Sequence, residues 1–284
     1  MSGLLTIAAY TLRESTRRRV FAVVLVLTLA FLALYAVGTE AAFDAIDEAA
    51  GEGAPVDDQV LAGSTLLGLA MFTTLFLGCV LAVFLTLGAV RGDAERGLLQ
   101  PLVVRPVGRT ELLAGRFAAA AGVCAAYVAA VYTAAMVITA AAGGWWPDHP
   151  VSPGLGLMAA VVLIAALALL GSIFLSATAN GIAVFMAFGA GLAAGLLGQI
   201  GDALAVETLE DVAAVASWLL PFEALYQAGL NALTEDVRGA TGVIVRLGPF
   251  GGAQEGGSLL WLWSASYLVL LGAGARVAFA RRDL

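Results

Sequence analysis

Residues 151–201 read VSPGLGLMAAVVLIAALALLGSIFLSATANGIAVFMAFGAGLAAGLLGQIG, without one charged side chain. A helix crossing a hydrocarbon core of about 30 Å needs about 20 apolar residues, each adding about 1.5 Å. The stretch is too long for one crossing and too short for three. It predicts two helices folded about residues 176–181, where Ser-Ala-Thr-Ala-Asn-Gly interrupts the large apolar side chains.

Working outward, four more charge-free runs are each long enough to cross once. The predicted spans are about 20–39, 61–90, 117–142, 155–178, 182–200 and 258–278. With 61% hydrophobic and 12% charged residues and a mean hydropathy of +0.95, no soluble domain of this length could cover its own apolar surface. The fold class is therefore all-α: a polytopic membrane protein with six transmembrane helices, read as one domain over residues 1–284. The first apolar run follows Arg17-Arg18-Arg19 and is not followed by a small-residue cleavage site, so it reads as a retained helix and not a signal peptide.

The charges orient the bundle. The chain has no lysine, and 12 of its 14 arginines fall in the N-terminal segment, in the loop 91–116 and in the C-terminal tail. Of its 21 acids, 16 fall in the other connections, at 40–58, 148 and 202–255. The positive-inside rule places the arginine-rich segments and both termini in the cytoplasm, which an even number of spans allows. The net charge of −7 is thus the sum of an acidic outer and a basic inner face. The expected location is the inner (plasma) membrane.

Loop 91–116 is the one long polar stretch on the basic side. It holds Arg91, Arg96, Arg105, Arg109 and Arg116 with Asp93, Glu95 and Glu111. Gly97 and Pro101 break the preceding helix. A short transverse helix over 93–100, an extended Val-Arg-Pro turn and a new helix start near Gly108 are predicted, with Glu111 in the first turn, where an acid favours the positive helix end.

The strings Glu-Arg-Gly-Leu-Leu-Gln (95–100), Arg-Pro-Val-Gly-Arg-Thr-Glu (105–111) and Leu-Leu-Ala-Gly-Arg (112–116) resemble the segment after the second helix of ABC-2 type transporter permeases. Two positions depart from that pattern: Gly108 stands where the family usually has Ser, and Arg116 where it usually has Lys. The resemblance implies that this loop is a cytoplasmic coupling helix seated in a groove of a nucleotide-binding subunit. Asp93, Glu95, Arg96, Gly97, Gln100, Arg105, Pro106, Arg109 and Glu111 are then the coupling residues, with Glu95, Arg96 and Arg105 as the first contact candidates. It also implies an exporter made of two permease copies and two ATPase chains in the lipid bilayer. This chain would bind no cofactor, ATP and Mg would sit on the partner ATPase, and nucleic acid has no part.

Residues 202–247 form the other polar stretch. Leu209, Val212, Ala216 and Leu219 recur at helical spacing against Glu207, Glu210 and Asp211, which predicts an amphipathic helix on the outer leaflet. Pro221 is placed to start a second, with Glu223, Gln227 and Asn231 as a polar stripe. By the same resemblance, Pro221, Phe222 and Glu223 close an outer gate. Gly191 and Gly195 form a small-xxx-small pair that favours close helix approach, with packing inside the bundle as the simpler use. Trp145 and Trp146 fit an interfacial belt.

Chemistry of other kinds finds few residues. A Walker A loop needs its lysine, so the chain is not an ATPase of that type. His149 is the only histidine and cannot make a histidine-based metal site alone. Cys79 and Cys124 both fall inside spans and read as small buried hydrophobes. Ion-coupled transporters keep ionisable groups within their spans, and the six charge-free runs hold none. The energy source is therefore expected in a partner. Two alternatives remain at this level: an ABC-2 permease serving copper-centre maturation, and a channel or scaffold that needs no ATPase.

Overall fold

The computed structural model describes residues 19–49, 57–86, 108–233, 235, 237, 241 and 257–281. These form eight helices: α1 (Arg19–Ala49), α2 (Asp58–Thr86), α3 (Arg109–Gly143), α4 (Val151–Phe174), α5 (Ala177–Leu204), α6 (Glu207–Leu219), α7 (Pro221–Asn231) and α8 (Ser258–Ala280). All but α6 and α7 are long and apolar enough to cross a membrane. Helices suit these sequences because each satisfies its own backbone hydrogen bonds where lipid offers none. The chain is a multi-pass membrane protein.

The long apolar run divides at Leu175 and Ser176, both extended. The Ser176 hydroxyl accepts from the Ala179 amide at 3.4 Å, as an N-cap serine does. One capping residue suffices, so residues 177–181, read in sequence as part of the fold-back, belong to the first turns of α5. Two other boundaries also move. α3 starts at Arg109, about two turns before the apolar run at 117, with Gly108 as its extended N-cap. α1 continues past Thr39 to Ala49 as an acidic extension, held by Phe43, which is buried against Gly143.

α4 is the hub, touching α2, α3, α5, α7 and α8. α2 beside it is the other helix with its middle largely buried, and the core runs through Leu67, Met71, Leu75, Leu157, Val161 and Ile164. α1 and α3 run in the same direction, tied by Thr28 to Tyr127 at 2.8 Å and by Tyr35 to Thr139 at 2.6 Å. Such hydroxyl pairs supply directional contacts in a setting where lipid tails compete for apolar packing. The outward faces of α1, α5 and α8 expose Val26, Leu34, Met186, Val269 and Leu270, as lipid-facing helices do.

The bundle separates charge by end. Asp44, Asp47, Glu48, Asp57, Asp58 and Asp148 lie at the end where α3 passes into α4, and Arg109, Arg116, Arg276 and Arg281 at the end where α4 passes into α5. Leu113, Leu169, Ile173, Ala275 and Phe279 pack together across α3, α4 and α8 at the basic end. Of the paired tryptophans, Trp146 is exposed, whereas Trp145 packs over Gly63 of α2.

α6 and α7 depart from the sequence reading in placement. They form a hairpin that enters the bundle from the acidic end, turns at Leu220-Pro221 and returns to Asn231. The Trp263 indole N–H donates to the Trp218 carbonyl at 3.0 Å, and the Tyr267 hydroxyl to the Leu219 carbonyl at 2.8 Å. Tyr267 lies near the middle of α8, and so does Phe188, against Phe222, in α5. The tip therefore sits near mid-bundle. The physical reason is where the charges are: Glu207, Glu210 and Asp211 crowd the start of α6, and no charge follows until Glu223. Read along the axis, they mark a wet end rather than a wet face.

Candidate functional site

Of the predicted coupling residues, Asp93, Glu95, Arg96, Gly97, Gln100, Arg105 and Pro106 lie outside the described residues, as does the predicted transverse helix. Arg109 is the first residue of α3, and Glu111 is exposed in its first turn. Gly108 gives that helix start no side-chain cap. α2 and α3 are the two helices that this loop joins.

The predicted gate residues come together in one place. Pro221 occupies the first turn of α7, where its fixed φ suits helix initiation and its missing N–H costs nothing. Phe222 is 1% exposed and stacks on Phe188 of α5, with centroids 5.9 Å apart and planes 13° from parallel. Glu223 is 5% exposed. Its Oε1 accepts from Gln227 Nε2 at 2.8 Å, and Gln227 Oε1 accepts from Gln199 Nε2 at 3.1 Å. The result is a short polar chain, carboxyl to amide to amide, bridging α7 and α5 inside an apolar bundle.

Gly191 and Gly195 make room for it. A Cβ on Gly191 would come within 2.7 Å of the Phe222 ring, and one on Gly195 would occupy the space of the Glu223 carboxyl. The small-xxx-small pair is thus the recess that receives Phe222 and Glu223. On its other side α7 packs against α4 and α2: a Cβ on Gly156 would meet the Leu225 carbonyl at 2.8 Å, and one on Gly229 would meet Met71 Cε at 3.2 Å.

Chemically the arrangement is a plug and not a reaction centre. A buried carboxyl is expensive unless hydrogen bonded, and here two glutamines supply that bonding. The sequence reading recognised Glu223 and Gln227 as a stripe but missed Gln199, the member on the opposing helix. The signal was present: Gly191, Gly195 and Gln199 recur every four residues, on one face of α5. It also missed the burial of Asn180, which is 1% exposed near the start of α5.

Cys79 and Cys124 are both buried and free. Among the described residues no group of three or more His, Cys, Asp or Glu side chains could hold a metal ion.

A search of curated proteins finds no significant match to this sequence. The model of a family described as ABC-2 family transporter protein matches residues 5–284, nearly the entire chain and with it every helix of the bundle. The chain belongs to the ABC-2 transporter protein family.

Proposed function

We propose that the chain is the permease subunit of an ATP-driven exporter, assembled as two permease copies with two separate ATPase chains. The observation that carries this reading is the family match over residues 5–284. The family is one of membrane subunits. The absence of any lysine adds that no Walker A loop can be built here, so ATP and Mg belong to the partner. The separation of charge between the two ends supports a plasma-membrane orientation with the basic end and both termini in the cytoplasm.

In this mechanism the ATPase pair closes on nucleotide and pushes on loop 91–116, where Glu95, Arg96 and Arg105 make contact. α2 and α3 carry the push inward from either side of the loop. α2 reaches the hairpin directly, because Met71 Cε lies beside Gly229 of α7. Pro221, Phe222 and Glu223 act as the outer gate: drawn away from the recess at Gly191 and Gly195, they open the route toward the acidic end.

The test is affinity purification of the tagged chain from native membranes in mild detergent, with mass spectrometry and an ATPase assay on the eluate. A Walker A protein should co-purify with ATPase activity, and both should fall in Glu95→Ala and Arg96→Ala chains that still insert normally. A chain that elutes alone and without ATPase activity sinks the reading.

A further inference from the structure

A cleft of about 170 Å³ lies between α4 and α5. Ile164 and Leu167 of α4 and Val184 and Phe188 of α5 form its walls, and Leu220 and Phe222 at the hairpin tip close its deep end. Its volume is comparable to the apolar cavity of about 150 Å³ that accepts benzene in a soluble protein. Its other end reaches the Leu175–Ser176 break, at the basic surface of the bundle.

At that end the lining changes character. Asn180 donates from Nδ2 to the Ala168 carbonyl at 2.8 Å, while its Oδ1, equally buried, has no hydrogen-bond partner. A Cβ on Gly171 would collide with that oxygen, so the glycine keeps the space into which the amide projects. A buried acceptor left without a donor is costly and calls for an explanation. From Asn180 to Phe188, α5 rises about 12 Å. The cleft is thus a slot with one hydrogen-bond acceptor near the membrane surface and an apolar interior ending at mid-bundle.

We propose that this cleft binds an amphiphile: an alkyl or aryl group that fills the slot toward Phe188 and Phe222, headed by one hydroxyl or amide N–H that donates to Asn180 Oδ1. For its consequence, that the amphiphile is cargo held beneath the hairpin gate, the proposal rests on the permease reading. The binding itself does not.

The experiment uses the full chain in nucleotide-free membranes with no ATPase added. A diazirine-bearing fatty alcohol, its methyl ether and a diazirine-bearing phosphatidylcholine are photolysed in parallel, and the labelled peptides are mapped by mass spectrometry. The alcohol should label the 167–175 and 183–188 segments about five-fold more than the ether, the worth of one net hydrogen bond. Asn180→Leu should make the alcohol and ether label equally. Ala183→Phe, at an exposed position on the cleft, should reduce labelling there to background without disturbing the core.

Equal labelling by alcohol and ether in the parent chain overturns the proposal. So does a preference that survives Asn180→Leu. Phosphatidylcholine, which offers no donor, labelling the cleft as strongly as the alcohol would make the occupant bulk lipid and overturn it as well. Because no ATPase is present, failure here is distinguishable from failure of co-purification, which would remove the permease reading and leave the binding.

Discussion

At Gly195 one methyl group decides how closely α5 and α7 approach. A Cβ there would take the space of the Glu223 carboxyl, whereas one on Gly189 meets nothing within 4 Å. Gly195→Ala should therefore destabilise the protein by about 1–3 kcal/mol, the usual cost of overpacking. Gly189→Ala should be neutral or stabilising by up to about 1 kcal/mol through helix propensity. Thermal unfolding in detergent compares them, and equal melting temperatures would remove the recess argument. A second test concerns the polar chain. Gln227→Leu strands the buried Glu223 carboxyl and should cost about 1–3 kcal/mol, while Glu223→Leu with Gln227→Leu should cost less, because no polar group is then left unpaired at that contact. A double variant worse than the single would show that the hydrogen bond is not what holds α7.

At the level of elements, the hairpin is stabilised by backbone chemistry as much as by side-chain packing. The last carbonyls of any helix lack partners within it, and at mid-bundle water does not supply them. The Ala216 carbonyl accepts from the Leu220 amide at 2.8 Å, and α8 serves the next two through Trp263 and Tyr267. Tyr267→Phe removes the donor to Leu219 and keeps the ring. It should cost about 1–3 kcal/mol and speed amide hydrogen exchange over residues 220–223, with the α2–α4 core unchanged. Unaltered exchange at the tip would mean that the tyrosine does not tether it. This element was also the least legible in the sequence. The six spans could be read because about 20 apolar residues with charges at both ends leave few alternatives, and the gate residues because proline and a polar stripe mark them. Depth could not be read. Helical periodicity places Glu207, Glu210 and Asp211 on a face, but only packing shows that they stop at the surface while Val212 to Leu219 goes inside. Nor could Gln199 or the open oxygen of Asn180 be read, since each acquires meaning only from the helix it faces.

For the whole molecule, the charge separation makes orientation measurable. Retaining arginine on the cytoplasmic side reflects the cost of moving a guanidinium across the bilayer, and acids exert much less control over topology. Asp148 and Glu235 both lie at the acidic end, where the Asp148 amide donates to the Leu233 carbonyl at 3.5 Å, and Arg281 ends α8 at the other. The native Cys79 and Cys124 are 0% exposed and give little background to a thiol reagent. In intact cells, a membrane-impermeant maleimide should label Asp148→Cys and Glu235→Cys and leave Arg281→Cys unlabelled until the membrane is opened. The reverse pattern would put loop 91–116 outside, where no ATP-driven partner could reach it, and would invalidate the coupling mechanism with the topology. The expected pattern places the slot beneath Phe222 open toward the cytoplasmic leaflet, so that an amphiphile entering beside Asn180 would meet the gate from the side on which ATP is spent.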